Sequence, residues 1–314
     1  EVKRVEVRVG DKPSDPKFVI TDLLPHLAAN QMSRKATEIV KGEGLNILVG
    51  SVPSETVDEK CSEKIKLAVM EHLNREYGMT EADFLSAELE VVPAGKAREA
   101  GLDRSMVLGY GQDDRVCAFT SLAAMLEIGQ TERTACCILV DKEEIGSVGA
   151  TGMQSRFFEN TVAEVMNAAE DYSELKLRRA LKNSKVLSSD VSAAFDPNYP
   201  SVMTKRNAAY FGRGLVFNKY TGARGKSGSN DANAEYVGYL RNIMDNNNVS
   251  FQTAELGKVD QGGGGTIAYI LANYGMSVID SGVAVLNMHA PWELISKVDL
   301  YEAYNGYVAF LKEA

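Results

Sequence analysis

Three short stretches of this 314-residue chain place carboxylates where an α/β fold keeps its reactive groups. Asp141-Lys142-Glu143-Glu144-Ile145-Gly146-Ser147 directly follows the apolar run 134–140. It reads as the carboxyl end of a buried strand entering a glycine turn. Neighbouring side chains can diverge there, so that one carboxylate binds a cation while the other takes a proton from water. An acid pair that merely starts a helix is the competing reading. Gly111-Gln112-Asp113-Asp114-Arg115 precedes an Ala- and Leu-rich helical window, 117–128. Here too the two acids serve either as helix caps or as ligands. Ser188-Ser189-Asp190-Val191 ends a short strand that begins near Lys185, whereas Asp196-Pro197-Asn198 is turn chemistry. His289, one of three histidines, follows the apolar run 283–286 and is expected near the start of a helix. Carboxylates plus one imidazole suit a hard-to-borderline divalent ion. A pair of ions roughly 3.5–4 Å apart, sharing one aspartate, fits this donor set best.

The elements that must position these groups follow from periodicity. Past residue 92, apolar runs alternate with helical windows at 117–128 and 159–169. That grammar predicts a mixed α/β sheet flanked by helices, whose ligands collect on loops at the strand ends. Residues 1–92 form a smaller αβ unit. Its expected elements are a leading strand through Val5, Val7 and Val9, a second over 46–52, a helix over 55–76 capped by Ser54, and a strand over 86–93. Ile65, Val69, His72 and Leu73 share one face of that helix, making His72 a packed or surface histidine. The expected division is 1–92 and 93–314.

Composition narrows the partners. A net charge of −9 and a pI near 5.1 oppose binding to phosphate backbones, so nucleic acid is not expected. No apolar stretch reaches the roughly 18–20 residues of a membrane span, and no basic-then-apolar leader opens the chain, so a cytoplasmic location is expected. Cys61, Cys117, Cys136 and Cys137 form no CxxC pair and are expected as buried, reduced thiols. The stretch Tyr220-Thr221-Gly222-Ala223-Arg224-Gly225-Lys226-Ser227 has Tyr where a phosphate loop needs its first Gly, which excludes nucleotide binding there. It reads instead as a backbone-lined loop with Lys226 or Arg224 available to a substrate carboxylate. The glycines at 262–265 predict either close backbone approach or a tight turn.

The motifs Gln112-Asp113-Asp114-Arg115, Glu143-Glu144-Ile145-Gly146-Ser147, Ser189-Asp190-Val191 and Met288-His289, in this order, resemble the aspartyl aminopeptidase family of two-metal peptidases, in its bacterial form. The resemblance runs from Phe18 to the C-terminus. It implies a zinc-exopeptidase-like catalytic domain and a dimerisation domain. It implies two divalent ions, zinc by default with manganese or cobalt as alternatives. Asp113 would bridge the ions, with Asp114 beside it holding the geometry. Glu144 and His289 would complete one ion's shell, Asp190 would bind the other, and Glu143 would be general base and acid. Leu24-Pro25-His26-Leu27-Ala28 matches a motif of the dimerisation domain, implying that His26 helps bind peptide in the partner's site. A dimer-based homo-oligomer, up to a tetrahedral assembly, would follow. The family's His-containing metal motif before the dimerisation domain has no counterpart here, and the chain is expected to lack the N-terminal part of the catalytic domain. Ala193 stands where eukaryotic-type members have a histidine. The competing reading is a non-catalytic assembly or binding subunit.

Overall fold

The computed structural model describes residues 3–55, 60–222, 228, 230–264 and 267–314. The chain divides into two compact units, Glu1–Lys96 and Ala97–Ala314. In the first, β1 (Val19–Ile20) pairs antiparallel with β2 (Ile47–Leu48), and a short α1 (Ala29–Met32) lies between them in sequence. The long helix α2 (Lys64–Tyr77) ends at Gly78, whose φ of +73° suits a left-handed cap that residues with a Cβ adopt less readily.

Several expectations for this unit need correction. Val5, Val7 and Val9 alternate but pair with no strand among the described residues, and all three are exposed. A strand's N–H and C=O groups need a neighbour, and none is supplied here. Residues 86–93 likewise form no strand. The helix begins at Lys64 rather than 55, and residues 56–59 of the expected span lie outside the described residues. Ser54 is not its cap: its N–H donates to the Lys64 carbonyl and its hydroxyl to Glu71. His72 is exposed, with Nδ1 2.7 Å from Arg75 Nη2.

The second unit is a mixed α/β fold. In chain order it comprises β3 (Arg98–Ala100), β4 (Met106–Gly109), α3 (Gln112–Glu127), α4 (Phe157–Ala168), α5 (Glu174–Lys182), β5 (Lys185–Ser189) and β6 (Ser192–Ala193). There follow β7 (Leu215–Asn218), α6 (Ala234–Asn246), β8 (Phe251–Thr253), α7 (Ala268–Ala272), β9 (Ser277–Gly282), β10 (Ala284–Leu286), β11 (Glu293–Ser296) and α8 (Lys297–Glu313). The strands form two sheets, β5-β9-β7-β8 and β3-β4-β11-β10-β6. β5 lies parallel to β9, and their continuations β6 and β10 are parallel in the other sheet. Backbone bonds from Asp190 N–H to Ser281 and from Ser192 N–H to Val283 bridge the step between the two pairs. Asp190 thus occupies a seam between sheets.

Side-chain caps start two of the helices: Ser173 accepts from Lys176 N–H at α5, and Asn233 from Tyr236 N–H at α6. The main core joins Val116, Cys117 and Ala124 of α3 to Leu240 and Met244 of α6, Ile279 of β9, and Ala303, Tyr307 and Phe310 of α8. Each fully buried Leu or Phe contributes about 1.5–3 kcal/mol. A second core under α4, α5 and α7 includes Leu177, Leu181, Leu271 and Val278.

Here too the chain departs from expectation. The apolar run 134–140 joins no sheet among the described residues, and the outer face of α3 leaves Phe119, Leu122 and Leu126 exposed. Apolarity makes a strand possible, but only a neighbouring strand makes it pair. Of the four cysteines only Cys117 is buried; Cys136 is exposed, Cys61 and Cys137 are half-buried, and all four are free thiols. His289 precedes a strand, β11, rather than a helix.

Candidate metal centre

Asp113 and Asp114 sit in the first turn of α3, where Gly111 at the N-cap has φ +62° and no side chain to cap the helix. Their backbone is not yet helical, and the peptide between them is cis. Glu143 and Glu144 lie in a 3-10 turn, Glu143–Ile145, rather than at an α-helix start. Hydrogen bonds from Gly146 N–H to Glu143 and from Ser147 N–H to Lys142 close that turn. Gln154 N–H to Ser147, and Asp141 N–H to Thr151, fold the following loop back over it. Gly152 is required there, since a Cβ would stand 2.3 Å from the Ser147 carbonyl. At the seam a Cβ on Gly282 would be 1.7 Å from the Asp190 carbonyl oxygen, so glycine lets β9 pass against Asp190.

These turns bring the dispersed acids together. Asp113, Glu144 and His289 offer ligand atoms within 4.8 Å of one another, and so do Asp113, Asp114 and Asp190. Asp113 belongs to both sets. His289 Nε2 is 3.0 Å from Asp113 Oδ2 and 3.4 Å from Glu144 Oε1. The Asp113 side chain is 10% exposed, while those of Glu144 and His289 are 64% and 63% exposed, so the first set faces solvent. The second is deeper. Val191 N–H donates to Asp190 Oδ1 at 2.7 Å, and one oxygen of Asp114 is buried with no hydrogen-bond partner.

The electrostatics are those of buried carboxylates that repel one another. Burial, then the Glu144 charge, lifts Asp113 to about 6, partly opposed by His289. Burial raises Asp114 well above the usual carboxylate range; the Cys117 thiol opposes this by hydrogen bonding, and the charges on Asp113 and Glu143 add to it. Asp190 is raised for the same leading reason, with Asp114 and Glu143 adding repulsion. Glu143, in neither donor set, is raised by burial and then by Glu144 and Asp113. Like charges this close favour protonation unless a cation neutralises them. A buried unpartnered carboxylate oxygen, four acids and one imidazole therefore fit divalent ions. The oxygen-rich set accommodates zinc, manganese or cobalt.

Sequence reasoning singled out Asp113, Asp114, Glu144, Asp190 and His289, and the fold brings all five together. It ranked Asp114 only as a neighbour, whereas its carboxylate reaches the second set. His26 is exposed in the first unit. Arg224 and Lys226 lie outside the described residues. Glu293 was missed: it is 2% exposed and accepts the N–H groups of both Asp113 and His289. Its one sequence signal is an acid opening an apolar strand just after the histidine.

An α/β scaffold presenting two acidic donor sets that share an aspartate defines the class, a candidate two-cation centre of the metallohydrolase kind. The profile of the aminopeptidase I zinc metalloproteases (M18) matches residues 2–311, and the chain belongs to that family. A probable M18 family aminopeptidase 1 of Clostridium acetobutylicum is 64% identical over 307 residues, covering 98% of this chain and 66% of the relative. The crystal structure of aminopeptidase I from that organism matches with a TM-score of 0.91 at 63% identity, again over 98% of this chain and 66% of the other. That of an M18 aminopeptidase from Thermotoga maritima gives 0.94 at 45%, over 99% and 68%. The chain thus spans about two thirds of these relatives' length. The S. cerevisiae mApe1 dodecamer, at 20% identity and a TM-score of 0.59 over 79% of this chain and 55% of that one, shares the fold alone. Among the described residues no helix is long and apolar enough to cross a membrane.

Proposed function

We propose that this chain carries the metal centre of a cytoplasmic aminopeptidase that removes N-terminal residues, acidic ones among them, from peptides. The observation that carries the reading is Asp113, shared between two donor sets beside a carboxylate, Glu143, that belongs to neither. Asp113, Glu144 and His289 would hold one ion, and Asp113, Asp114 and Asp190 the other. Zinc is the first choice. Bound there, the ions would act as Lewis acids on a peptide carbonyl and on water.

The chain's own groups do the rest. Glu143 is half-buried, and its raised proton affinity suits a group that takes a proton from attacking water at its carboxylate and returns it to the departing amine. Lys226 and Arg224 are proposed to receive a substrate carboxylate. The test is metal content per chain and hydrolysis of aminoacyl-anilides, on this chain and on one extended to the relatives' full length. Two ions per chain are expected in the active form, with hydrolysis abolished by chelator and restored by zinc or manganese. No metal and no hydrolysis in either form would favour a non-catalytic assembly subunit.

The first unit is proposed as a dimerisation domain in a homo-oligomer. Among its described residues only Ala28 and Ser54 are buried, while Leu23, Leu24, Leu27 and Met32 are exposed around His26. A unit that hides so little apolar surface is marginal on its own and is stabilised by association. His26 would then reach peptide in the partner's site. His26→Phe is expected to cut turnover while metal content is unchanged. Mixing it with Glu143→Gln should restore activity in hetero-oligomers, because one site regains both groups; no restoration would remove the sharing between subunits.

A further inference from the structure

The exposed cation site takes Glu144 from the Glu143–Ile145 turn and its other two donors from two segments that are irregular where they supply them. The first leaves β4 and enters α3 through Asp113, whose φ of −79° and ψ of 111° are not helical. The second is the connection from β10 to β11, where Asn287 and His289 have φ of +59° and +64°. Backbone like this makes few ladder bonds of its own, so something else must hold it.

Glu293 supplies that hold. It opens β11, paired in register with Gly109 at the end of β4, so it stands where both segments leave their strands. Its Oε2 accepts the Asp113 N–H at 2.9 Å and its Oε1 accepts the His289 N–H at 2.7 Å. One buried carboxylate therefore engages the main chain of the shared aspartate and of the imidazole ligand at once. The same contact caps α3, whose first-turn N–H groups have no acceptor inside the helix.

We propose that Glu293 is a positioning residue that sets the spacing of Asp113 and His289, and through it the affinity of the cation site they form with Glu144. This rests on the metal-centre reading of the site. The carboxylate is specific to the task. A glutamine offers one acceptor and one N–H₂ donor, so one of the two backbone N–H groups would lose its acceptor and face a donor. An aspartate carries the same pair of oxygens on a stem one methylene shorter, which draws both back from the two N–H groups.

The test is zinc titration by calorimetry into chelator-stripped chain, comparing wild type, Glu293→Gln and Glu293→Ala, with thermal melts of the metal-free proteins. Groups that orient metal ligands typically change affinity about 10- to 100-fold when altered. Glu293→Gln is expected to weaken zinc by that factor at the site of Asp113, Glu144 and His289. The site of Asp113, Asp114 and Asp190 should be affected less, and the metal-free melting temperature should fall modestly, because one buried N–H is left facing a donor. Should Glu293→Ala fail to fold, the glutamine variant carries the test. Unchanged zinc affinity in Glu293→Gln, whatever its melting temperature, would overturn the positioning role and leave a purely structural one. No zinc uptake by wild type, in this chain and in one extended to the relatives' full length, would instead overturn the metal-centre reading, and this inference with it.

Discussion

Asp113→Asn is expected to abolish hydrolysis and to release both ions. The reason is arithmetic within the site: Asp113 is the one residue common to both donor sets. Altering a group that merely supports a ligand weakens a metal site by about 10- to 100-fold, so loss of a ligand shared by two ions should exceed about 100-fold at each. The metal-free fold should not suffer. Asp113 is held up near 6 by burial and by Glu144, so an uncharged isostere relieves repulsion. Metal analysis and thermal melts of chelator-treated protein separate the two effects. If one ion remains at full occupancy, Asp113 does not bridge; if the metal-free fold collapses, its role is structural.

Glu143→Gln should behave in the opposite way, keeping both ions and losing turnover. A positioned general base is worth about 10²- to 10⁴-fold, and that is the loss expected in kcat. Glu143 lies outside both donor sets, which is why metal content should hold. The side chain's length and shape are preserved, so KM for an aminoacyl-anilide should change little. Turnover equal to wild type would take the proton-transfer role away from Glu143. Loss of an ion would make it a ligand instead. Together the two variants separate holding the ions from moving the proton, a distinction that activity alone does not draw.

Much of the centre is legible in the sequence. Acids after an apolar run, next to glycines, are expected at strand ends; Asp190 does follow β5, whereas Glu143 and Glu144 lie in a 3-10 turn after a run, 134–140, that joins no sheet among the described residues. His289 was legible as a rare residue type following an apolar strand. Glu293 was not, because its partners are backbone N–H groups of Asp113 and His289, which no side-chain pattern announces. Asp114 was undervalued for a related reason: one of its oxygens is buried and unpartnered, and burial is a property of the packed site.

By itself the sequence determined the helices α3 and α4, the strand that runs up to Asp190, the apolar run 283–286, and the residue types able to bind a cation. These depend on periodicity and side-chain chemistry, which are local. Only the tertiary structure decided which apolar runs pair. Val5, Val7 and Val9 and the run 134–140 have strand patterns yet join no sheet among the described residues, because pairing needs a neighbour that periodicity cannot supply. The motif resemblance already implied that Asp113 bridges; the fold supplies the physical means, two donor sets that have Asp113 in common. That sharing arises where the α3 entry, the 143–145 turn, the Asp190 seam and the β10–β11 connection converge.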